Sequence, residues 1–431
     1  MGEEQKVAAR PVSEIPGPRK YPIVCFLLID NYLSFFAAFK SKQLHHYFEK
    51  IVKMYGPIVQ IHSPFNPPAV IIVNPDDCEI MVRATMENPI RDGFHSLKKI
   101  RQNAVDNYFN HKTGLLSENG EEWWRVRSPV GIVALNRRLG CLDPNITEES
   151  EPIKLINLVN EIFIDINHLE FNLHIWQVFP TPTYKKLKNN HEEFLKLADR
   201  NIRETEASLL AQAPDDDREL TLMEALLLKP GLTRKDVVTL ILDMLFAGID
   251  TTSHTLGFAL YLLARNLEVQ ARLQEEVDTV LGDHQGPLTP KHLAQLSYLK
   301  AVIKESMRIF PVVFGVGRTL DKDVVLSGFL VPKGVFFAIS MVMNLDESLF
   351  PRPKEFIPER WLRHKPLGPI HPYAFLPFGA GTRMCIGRRI AEQEMYTFLT
   401  RVRHFPHLIT VHKVNFKETG LVYFYFYPLY H

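Results

Sequence analysis

The sequence predicts one mainly α-helical domain with a smaller β-rich lobe near its N-terminus. Apolar side chains recur at helical spacing through residues 44–52, and a long apolar helix is expected over 233–263. Two short apolar runs, 58–62 and 69–73, flank a proline-rich turn and are typical of strands. Hydrophobic residues make up 46% of the 431 residues, enough for a large core. We expect a single domain over residues 1–431, of which 1–14 form a flexible tail.

Composition excludes some classes of function. Lysine and arginine total 50 against 49 for aspartate and glutamate, which argues against a nucleic-acid binder driven by bulk charge. Four cysteines are too few for a disulfide framework in a chain of this length, so a reducing compartment is the default. The apolar run 21–39 contains Asp30 and Asn31, and it is therefore a poor candidate for a membrane-spanning helix.

The other elements are predicted from periodicity and from helix-breaking residues. Residues 91–112 have no clear period and are expected to form a long loop. Thr233 followed by Asp236 is a capping pattern that starts the long helix. Further elements are expected at four places: amphipathic helices over 151–212 with a proline break at 180–182, a helix over 299–308, short strands at 324–330 and 335–341, and an aromatic hairpin at 421–427.

The most informative stretch is the glycine-rich segment 378–387, which contains Cys385. A good helix-forming run begins directly after it, so Cys385 should lie where a loop turns into a helix. Unpaired backbone N–H groups at such a position favour the thiolate, and glycines allow close approach of a flat partner. A lone thiolate in this setting suits the axial position of a haem iron. The alternative is that Cys385 is a small buried hydrophobic residue.

The complete pattern of this segment resembles the signature of the cytochrome P-450 family, the haem-thiolate monooxygenases. The matching positions are Phe378, Gly379, Gly381, Arg383, Cys385 and Gly387. The resemblance implies the cytochrome P-450 fold, mainly α with a large helical lobe and a smaller β-rich N-terminal lobe. It also implies haem b with Cys385 as the iron ligand, and insertion of one oxygen atom from O2 into a small apolar, sterol-like substrate.

The middle of the long helix contains a second candidate site, at Asp250 and Thr251. Glycine, aspartate and threonine are poor helix formers, so one interpretation is a kink whose hydroxyls bond back to helix carbonyls. The segment also resembles the oxygen-activation groove of the family. That resemblance implies that Thr251 donates a hydrogen bond where oxygen binds and that Asp250 relays protons. A carboxylate beside a hydroxyl suits ordered proton delivery.

Several further residues resemble positions of known role in the family. The residues that resemble haem-propionate ligands are Trp123, Arg127, Arg318 and Arg383. Arginine suits this role because its planar guanidinium group can donate two hydrogen bonds to one carboxylate. Phe378 is a further cofactor-binding candidate. The alternative for Trp123 and Arg127 is a helix face that simply packs. Glu305 and Arg308 are three residues apart, and the resemblance implies that Arg360 joins them in a buried structural network.

Basic residues on two helices indicate the branch of the family. Lys300, Lys304, Arg388 and Arg389 resemble the surface on which mitochondrial members dock an acidic, adrenodoxin-like ferredoxin, an encounter that opposite charge would accelerate. The segments 134–141 and 385–392 also resemble the corresponding segments of the mitochondrial steroid and vitamin D hydroxylases. The resemblance implies the matrix side of the mitochondrial inner membrane, with peripheral membrane contact. The alternatives are a solvated basic face, and a microsomal form in the endoplasmic reticulum membrane that has lost its anchor.

The resemblance is interrupted after Val130. Complete family members carry several tens of residues between the patterns that here end at Val130 and begin at Gly131. An internal segment with core helices is therefore expected to be absent at 130/131. The alternative function that follows is a non-catalytic or misfolded variant isoform.

Overall fold

The computed structural model describes residues 9–18, 44–61, 69–91, 93–104, 108–109, 112–120, 123, 147, 149–171, 174–211, 222–284, 286–313, 315–364 and 366–402. These residues form two compact units, one made of Met1–Asn88 with Thr251–His431 and the other of Pro89–Asp250. Arg127 and the hairpin predicted at 421–427 lie outside the described residues. The expectation of one domain over 1–431 stays a prediction.

The described residues are mostly helical, as predicted. The helices are α1 (Leu44–Tyr55), α2 (Pro75–Ala84), α3 (His95–Gln102), α4 (Glu151–Phe171), α5 (Pro182–Ala211), α6 (Leu222–Leu227), α7 (Arg234–Arg265), α8 (Leu267–Leu281), α9 (Pro290–Gln295), α10 (Ser297–Ile309) and α11 (Arg388–Val402). The strands are β1 (Arg10–Pro11), β2 (Ile58–Ile61), β3 (Ala69–Ile72), β4 (Gly315–Thr319), β5 (Val324–Leu326), β6 (Phe329–Val331) and β7 (Phe336–Ser340).

All seven described strands belong to the first unit and form two sheets. The larger has the order β2-β3-β7-β4, in which β7 runs parallel to β3 and antiparallel to β4. The smaller has the order β1-β6-β5. Two strands from the first 72 residues, β1 and β3, therefore pair with strands that follow residue 314. Val70, Ile71 and Ile72 are buried in the core between this sheet and the neighbouring helices.

Two local predictions were wrong. The stretch 91–112 contains α3, whose N-terminus is bound by a residue far along the chain: Glu170 accepts from the backbone N–H and the hydroxyl of Ser96, both at 2.7 Å. The stretch 324–330 is a hairpin of β5 and β6 rather than one strand. Ser327 and Gly328 both have positive φ there, 47° and 79°, which is the conformation of a tight two-residue hairpin turn.

The longest described helix, α7, starts as the sequence predicts. The Thr233 hydroxyl and backbone N–H both donate to Asp236, and the Asp236 N–H donates back to the Thr233 hydroxyl at 3.3 Å. By length and apolar composition, α7 is the one helix among the described residues that could span a membrane, but half of its most apolar window is buried inside the protein. Such burial is typical of a core helix.

Candidate functional site

The segment that contains Cys385 is a compact loop held by its own backbone. The Cys385 N–H donates to the Phe378 carbonyl at 2.8 Å, and the Met384 N–H donates to the Gly381 carbonyl at 3.1 Å. Gly379 and Gly381 both have φ of 68°, which side chains rarely adopt. A Cβ on Gly381 would lie 2.9 Å from the Val82 methyl Cγ1, so the loop is also pressed against α2. Both glycines are thus required by geometry.

Cys385 lies just before a helix, as predicted. α11 begins at Arg388, and its first turn is closed by the Ala391 N–H, which donates to the Gly387 carbonyl at 2.9 Å. Cys385 is exposed, whereas Cys78 is fully buried and its pKa is raised to about 12, mainly by burial. Of the cysteines in the described part of the chain, only Cys385 therefore presents an accessible thiol near a helix N-terminus. The interpretation of Cys385 as a buried hydrophobic residue is excluded.

Two of the predicted cofactor-binding arginines lie at this loop. Arg318, on β4, is only 3% exposed, and its Nη2 donates to the carbonyl of Ala380 at 3.5 Å. Its Nη1 donates to the Gly317 carbonyl at 2.7 Å. Arg383, within the loop, is 7% exposed. The structure therefore brings the strand arginine and the loop arginine to the same segment as Cys385.

The other two described cofactor-binding candidates have different settings. Phe378 packs at the edge of the core that contains α10 and α11, and the Arg388 guanidinium carbon lies 5.5 Å from its ring centroid. Trp123 belongs to the second unit, where its side chain is 2% exposed. Burial of Trp123 fits both the packing interpretation and the propionate interpretation, because its predicted partner Arg127 is not described.

The segment of α7 that contains Asp250 and Thr251 is helical without interruption. Asp250 is 7% exposed. The hydroxyl of Thr255 donates to the carbonyl of Thr251 at 2.8 Å, so a threonine does bond back to the helix, as one interpretation predicted, but one turn later. A Cβ built on Gly248 would meet no atom of the described residues within 4 Å, so among these residues there is open space beside the helix at this point.

The predicted structural network is confirmed. Arg308 makes a two-pronged ion pair with Glu305, at 2.9 and 2.7 Å, and the Arg360 Nε lies 2.9 Å from the same carboxylate. The Glu305 and Arg308 side chains are fully buried, and Arg360 is 1% exposed. Burial lowers the pKa of Arg360, while the Glu305 charge raises it. Charges this deeply buried are stable only when they are paired and hydrogen-bonded.

Two further residues that join this network were missed by sequence reasoning. The indole N–H of Trp361 donates to Glu305 at 2.8 Å, and the carbonyl of Asn344 accepts from Arg308 at 2.8 Å. Trp361 directly follows Arg360, and that adjacency was the available signal. Asn344 offered none, because it contributes a main-chain oxygen that any residue type could supply.

The basic residues predicted to dock a ferredoxin lie on α10 and α11. The pKa of Lys304 is lowered by burial and also by the positive charges of Arg388 and Lys300, while Glu392 raises it. Such coupling places these three cations within electrostatic range of one another. Arg388 also donates to Glu392 at 3.0 Å. Glu392 was not predicted, and it partly neutralises the basic face. Arg389 is exposed next to Arg388.

Comparison with known proteins agrees with this geometry. The family model of cytochrome P-450 matches residues 130–422. Probable cytochrome P-450 49a1 of Drosophila melanogaster is 28% identical over 486 residues, covering 96% of this chain and 80% of that protein. Cytochrome P-450 302a1, mitochondrial, from the same fly is 31% identical over 452 residues, covering 91% of this chain and 89% of that protein. Cytochrome P-450 CYP12A2 of Musca domestica is 29% identical, with coverage of 92% and 86%.

An accessible thiol in a glycine-rich loop, at the start of a helix, with buried arginines beside it, has the chemistry expected of a haem-thiolate site. The chain belongs to the cytochrome P-450 family, in the branch that contains the relatives named as mitochondrial. It is a monooxygenase with haem b as its cofactor, and the mainly α fold predicted from the sequence is confirmed.

Proposed function

We propose that this chain is a mitochondrial monooxygenase that inserts oxygen into a small apolar, sterol-like substrate, with electrons from an adrenodoxin-like ferredoxin. The observation that carries the proposal is the accessible Cys385 thiol in its glycine-rich loop. The mitochondrial assignment is supported by relatives such as cytochrome P-450 302a1, mitochondrial, and probable cytochrome P-450 12d1 distal, mitochondrial. Residence on the matrix side of the inner membrane is part of the same proposal.

The residues present fit haem b. Cys385 supplies a soft thiolate for the iron, and the glycines of its loop leave room for a flat group to approach. Arg318 and Arg383 supply guanidinium groups for the propionates, with Trp123 and Arg127 proposed as further ligands. When bound, the haem supplies the oxygen chemistry, and the thiolate donates the electron density that favours O–O cleavage. The protein supplies position, dryness and proton access.

Asp250 and Thr251 are the proposed proton-handling residues. Thr251 lies three residues after Gly248 on α7 and so shares the helix face that borders the open space, whereas Asp250 lies on a different face. The Thr251 hydroxyl is proposed to donate a hydrogen bond in this space, and the Asp250 carboxylate to accept protons from water and pass them on. The burial of Asp250 limits the number of waters that reach it, which keeps proton delivery ordered.

Lys300, Lys304, Arg388 and Arg389 form the proposed ferredoxin-docking face. Burial is the main cause of the lowered pKa of Lys304, and the charges of Arg388 and Lys300 lower it further; the carboxylates of an acidic partner would offset that repulsion. Opposite charge accelerates and orients such encounters more than it adds affinity. Glu392 already accepts a hydrogen bond from Arg388, so it would compete with a carboxylate of the ferredoxin and weaken the docking contact at Arg388.

Peripheral membrane contact is supported by an exposed apolar turn in the second unit. Ile175, Val178 and Phe179, between α4 and α5, are 53%, 75% and 68% exposed. Lys185 and Lys186 follow on the first turns of α5. Apolar side chains beside lysines suit the boundary between lipid headgroups and acyl chains, from which an apolar substrate would also be drawn.

The absence of an internal segment at 130/131 remains part of the proposal. The match to probable cytochrome P-450 49a1 extends over 486 residues, which is longer than the 431 residues of this chain, so that relative contains residues with no counterpart here. Loss of core helices is the basis of the alternative, a non-catalytic or misfolded isoform.

One spectrum tests the proposal against that alternative. The chain is expressed with a haem supply, reduced and exposed to carbon monoxide, and its absorption is recorded. The long-wavelength Soret band of a thiolate-bound haem is expected, and C385A should abolish it. A histidine-like band, or a purified protein without haem, would contradict the proposal and favour the non-catalytic isoform.

A further inference from the structure

Three buried carboxylates lie at equal spacing along α7. Asp236, Asp243 and Asp250 are 4%, 1% and 7% exposed. Residues seven apart in a helix are separated by about two turns and so share one face. The carboxylate of the proposed proton relay, Asp250, is therefore the last of a buried acidic row. Because a buried carboxylate is costly without a partner, the cations that meet this row are informative.

The first two carboxylates, Asp236 and Asp243, are paired with cations from residues 101–112. Lys112 Nζ lies 2.8 Å from Asp236, and Lys112 is 30% exposed. Arg101, on α3, lies 2.7 Å from Asp243, and both of these side chains are almost fully buried, at 2% and 1% exposed. Arg101 also donates to the Thr113 carbonyl at 2.7 Å and to Nε2 of His191 at 3.3 Å. The middle pair is therefore the deeply buried one.

The loop 112–118 is packed directly onto that middle pair. The Leu116 N–H donates to Asp243 at 3.3 Å. Gly114 has φ of 87°, and a Cβ there would lie 2.3 Å from Arg101 Nη1 and 2.4 Å from an oxygen of Asp243. The loop backbone thus covers the ion pair at a distance that only glycine permits. Glu118 braces the loop from within, since it accepts from the Thr113 hydroxyl at 2.7 Å.

We propose that Arg101 and Asp243 are positioning residues that clamp the loop 112–118 onto α7, and thereby fix the helix segment of Asp250 and Thr251 and its access to water. Asp243 lies about 10 Å before Asp250 along the helix. Loss of the clamp would lift the loop from the acidic row, admit water and loosen the helix. The inference rests on the proposed function in one respect, the role of Asp250 and Thr251 in proton delivery.

Amide hydrogen exchange of the haem-loaded protein tests the clamp without any turnover. R101Q is expected to accelerate exchange in residues 244–252 at least tenfold. K112Q is the matched control, because it removes the outer pair of the same loop, in which the lysine is 30% exposed, and exchange in 244–252 should stay within about twofold of wild type. Equal exchange in wild type and R101Q would overturn the proposal.

A second readout separates positioning from simple stability. With NADPH, ferredoxin reductase and ferredoxin, and no added substrate, the rate of hydrogen peroxide release should rise at least twofold in R101Q. The rise should be smaller in R101K, which keeps the positive charge but loses the planar guanidinium group. K112Q should match wild type. If R101Q does not fold, R101K and G114A are measured instead, and both should show smaller increases in amide exchange and in peroxide release. Wild-type values in both variants would overturn the clamp. A wild-type protein whose haem gives a histidine-like band would contradict the proposed function, while hydrogen exchange of that haem-loaded protein would still decide whether the clamp exists.

Discussion

Glu305 and Arg308 form a two-pronged ion pair in which neither side chain is exposed to solvent. Arg360 shares the same carboxylate, so one negative charge serves two buried guanidinium groups. Main-chain carbonyls of Asn344, Pro353 and Glu355 accept the remaining N–H groups of Arg308, at 2.8, 2.7 and 3.2 Å. The network therefore ties α10 to the segments outside α-helices and strands that contain Asn344, Pro353 and Arg360.

Glu305→Gln should strongly destabilise the protein, because it leaves two buried guanidinium groups without a charge partner. Breaking a buried ion pair from one side typically costs about 3–5 kcal/mol. The midpoint of urea denaturation, followed by circular dichroism, measures the effect. Arg352→Gln is the control, since the Arg352–Glu355 pair has the same i, i+3 spacing but is more than half exposed. A similar loss in both variants would show that burial is not the cause.

Reversal of charge on the proposed docking face should weaken the use of ferredoxin. The double variant K300E/K304E is expected to raise the ferredoxin KM about tenfold or more, with the effect shrinking at high salt because exposed charges are screened. Lys185→Glu, on α5 in the other unit, should leave the ferredoxin KM unchanged. An unchanged KM in K300E/K304E would remove Lys300 and Lys304 from the docking surface.

His191 should make the stability of the protein depend on pH. Burial, followed by the charge of Arg101, lowers its pKa from 6.5 to about 3, so the folded protein holds it neutral. Because the folded pKa lies below the unfolded one, the unfolded chain binds the extra proton, and the contribution of His191 is full above pH 6.5 and is lost as pH falls. Between pH 8 and pH 5 the loss is about 2 kcal/mol.

The comparison of wild type with His191→Gln isolates this contribution from all other titrating groups. Unfolding is measured in urea at pH 8, 7, 6 and 5, and the wild-type curve should fall more steeply than that of the variant. Parallel curves would mean that His191 titrates normally in the folded protein. A neutral His191 also accepts the Arg101 N–H at Nε2, so its proton is expected on Nδ1.

Gly381→Ala should reduce haem retention by distorting the cysteine loop. The added Cβ would meet both an unfavourable φ of 68° and the Val82 methyl at 2.9 Å. Gly328→Ala is a matched control, because its φ is also positive, 79°, but no atom lies within 4 Å of the added carbon. Left-handed conformation alone costs roughly 1 kcal/mol for an alanine. Soret absorbance per protein should fall in G381A and persist in G328A; equal retention would exclude the contact with Val82.

The sequence predicted those features whose signals are local. The cysteine loop, the capped start of α7 and the spacing of Glu305 and Arg308 each lie within about ten residues. Features stabilised by distant partners were mostly missed; the contact of Arg360 with Glu305 was predicted only through the family resemblance. α3 was predicted to be a loop because its N-terminus is bound by Glu170, and the hairpin of β5 and β6 was missed because Ser327 rarely signals a positive φ. The Arg101–Asp243 clamp could not be predicted, since nothing in the sequence pairs these residues.

The order of the larger sheet has a consequence for synthesis. β3 ends at Ile72, but its parallel neighbour β7 begins at Phe336, so one edge of β3 stays open while the intervening chain is translated. At typical ribosomal speeds that wait lasts roughly ten seconds to a minute. The apolar strand with Val70, Ile71 and Ile72 is an aggregation hazard throughout it. Production of this protein should therefore respond strongly to chaperones that bind the nascent N-terminal segment.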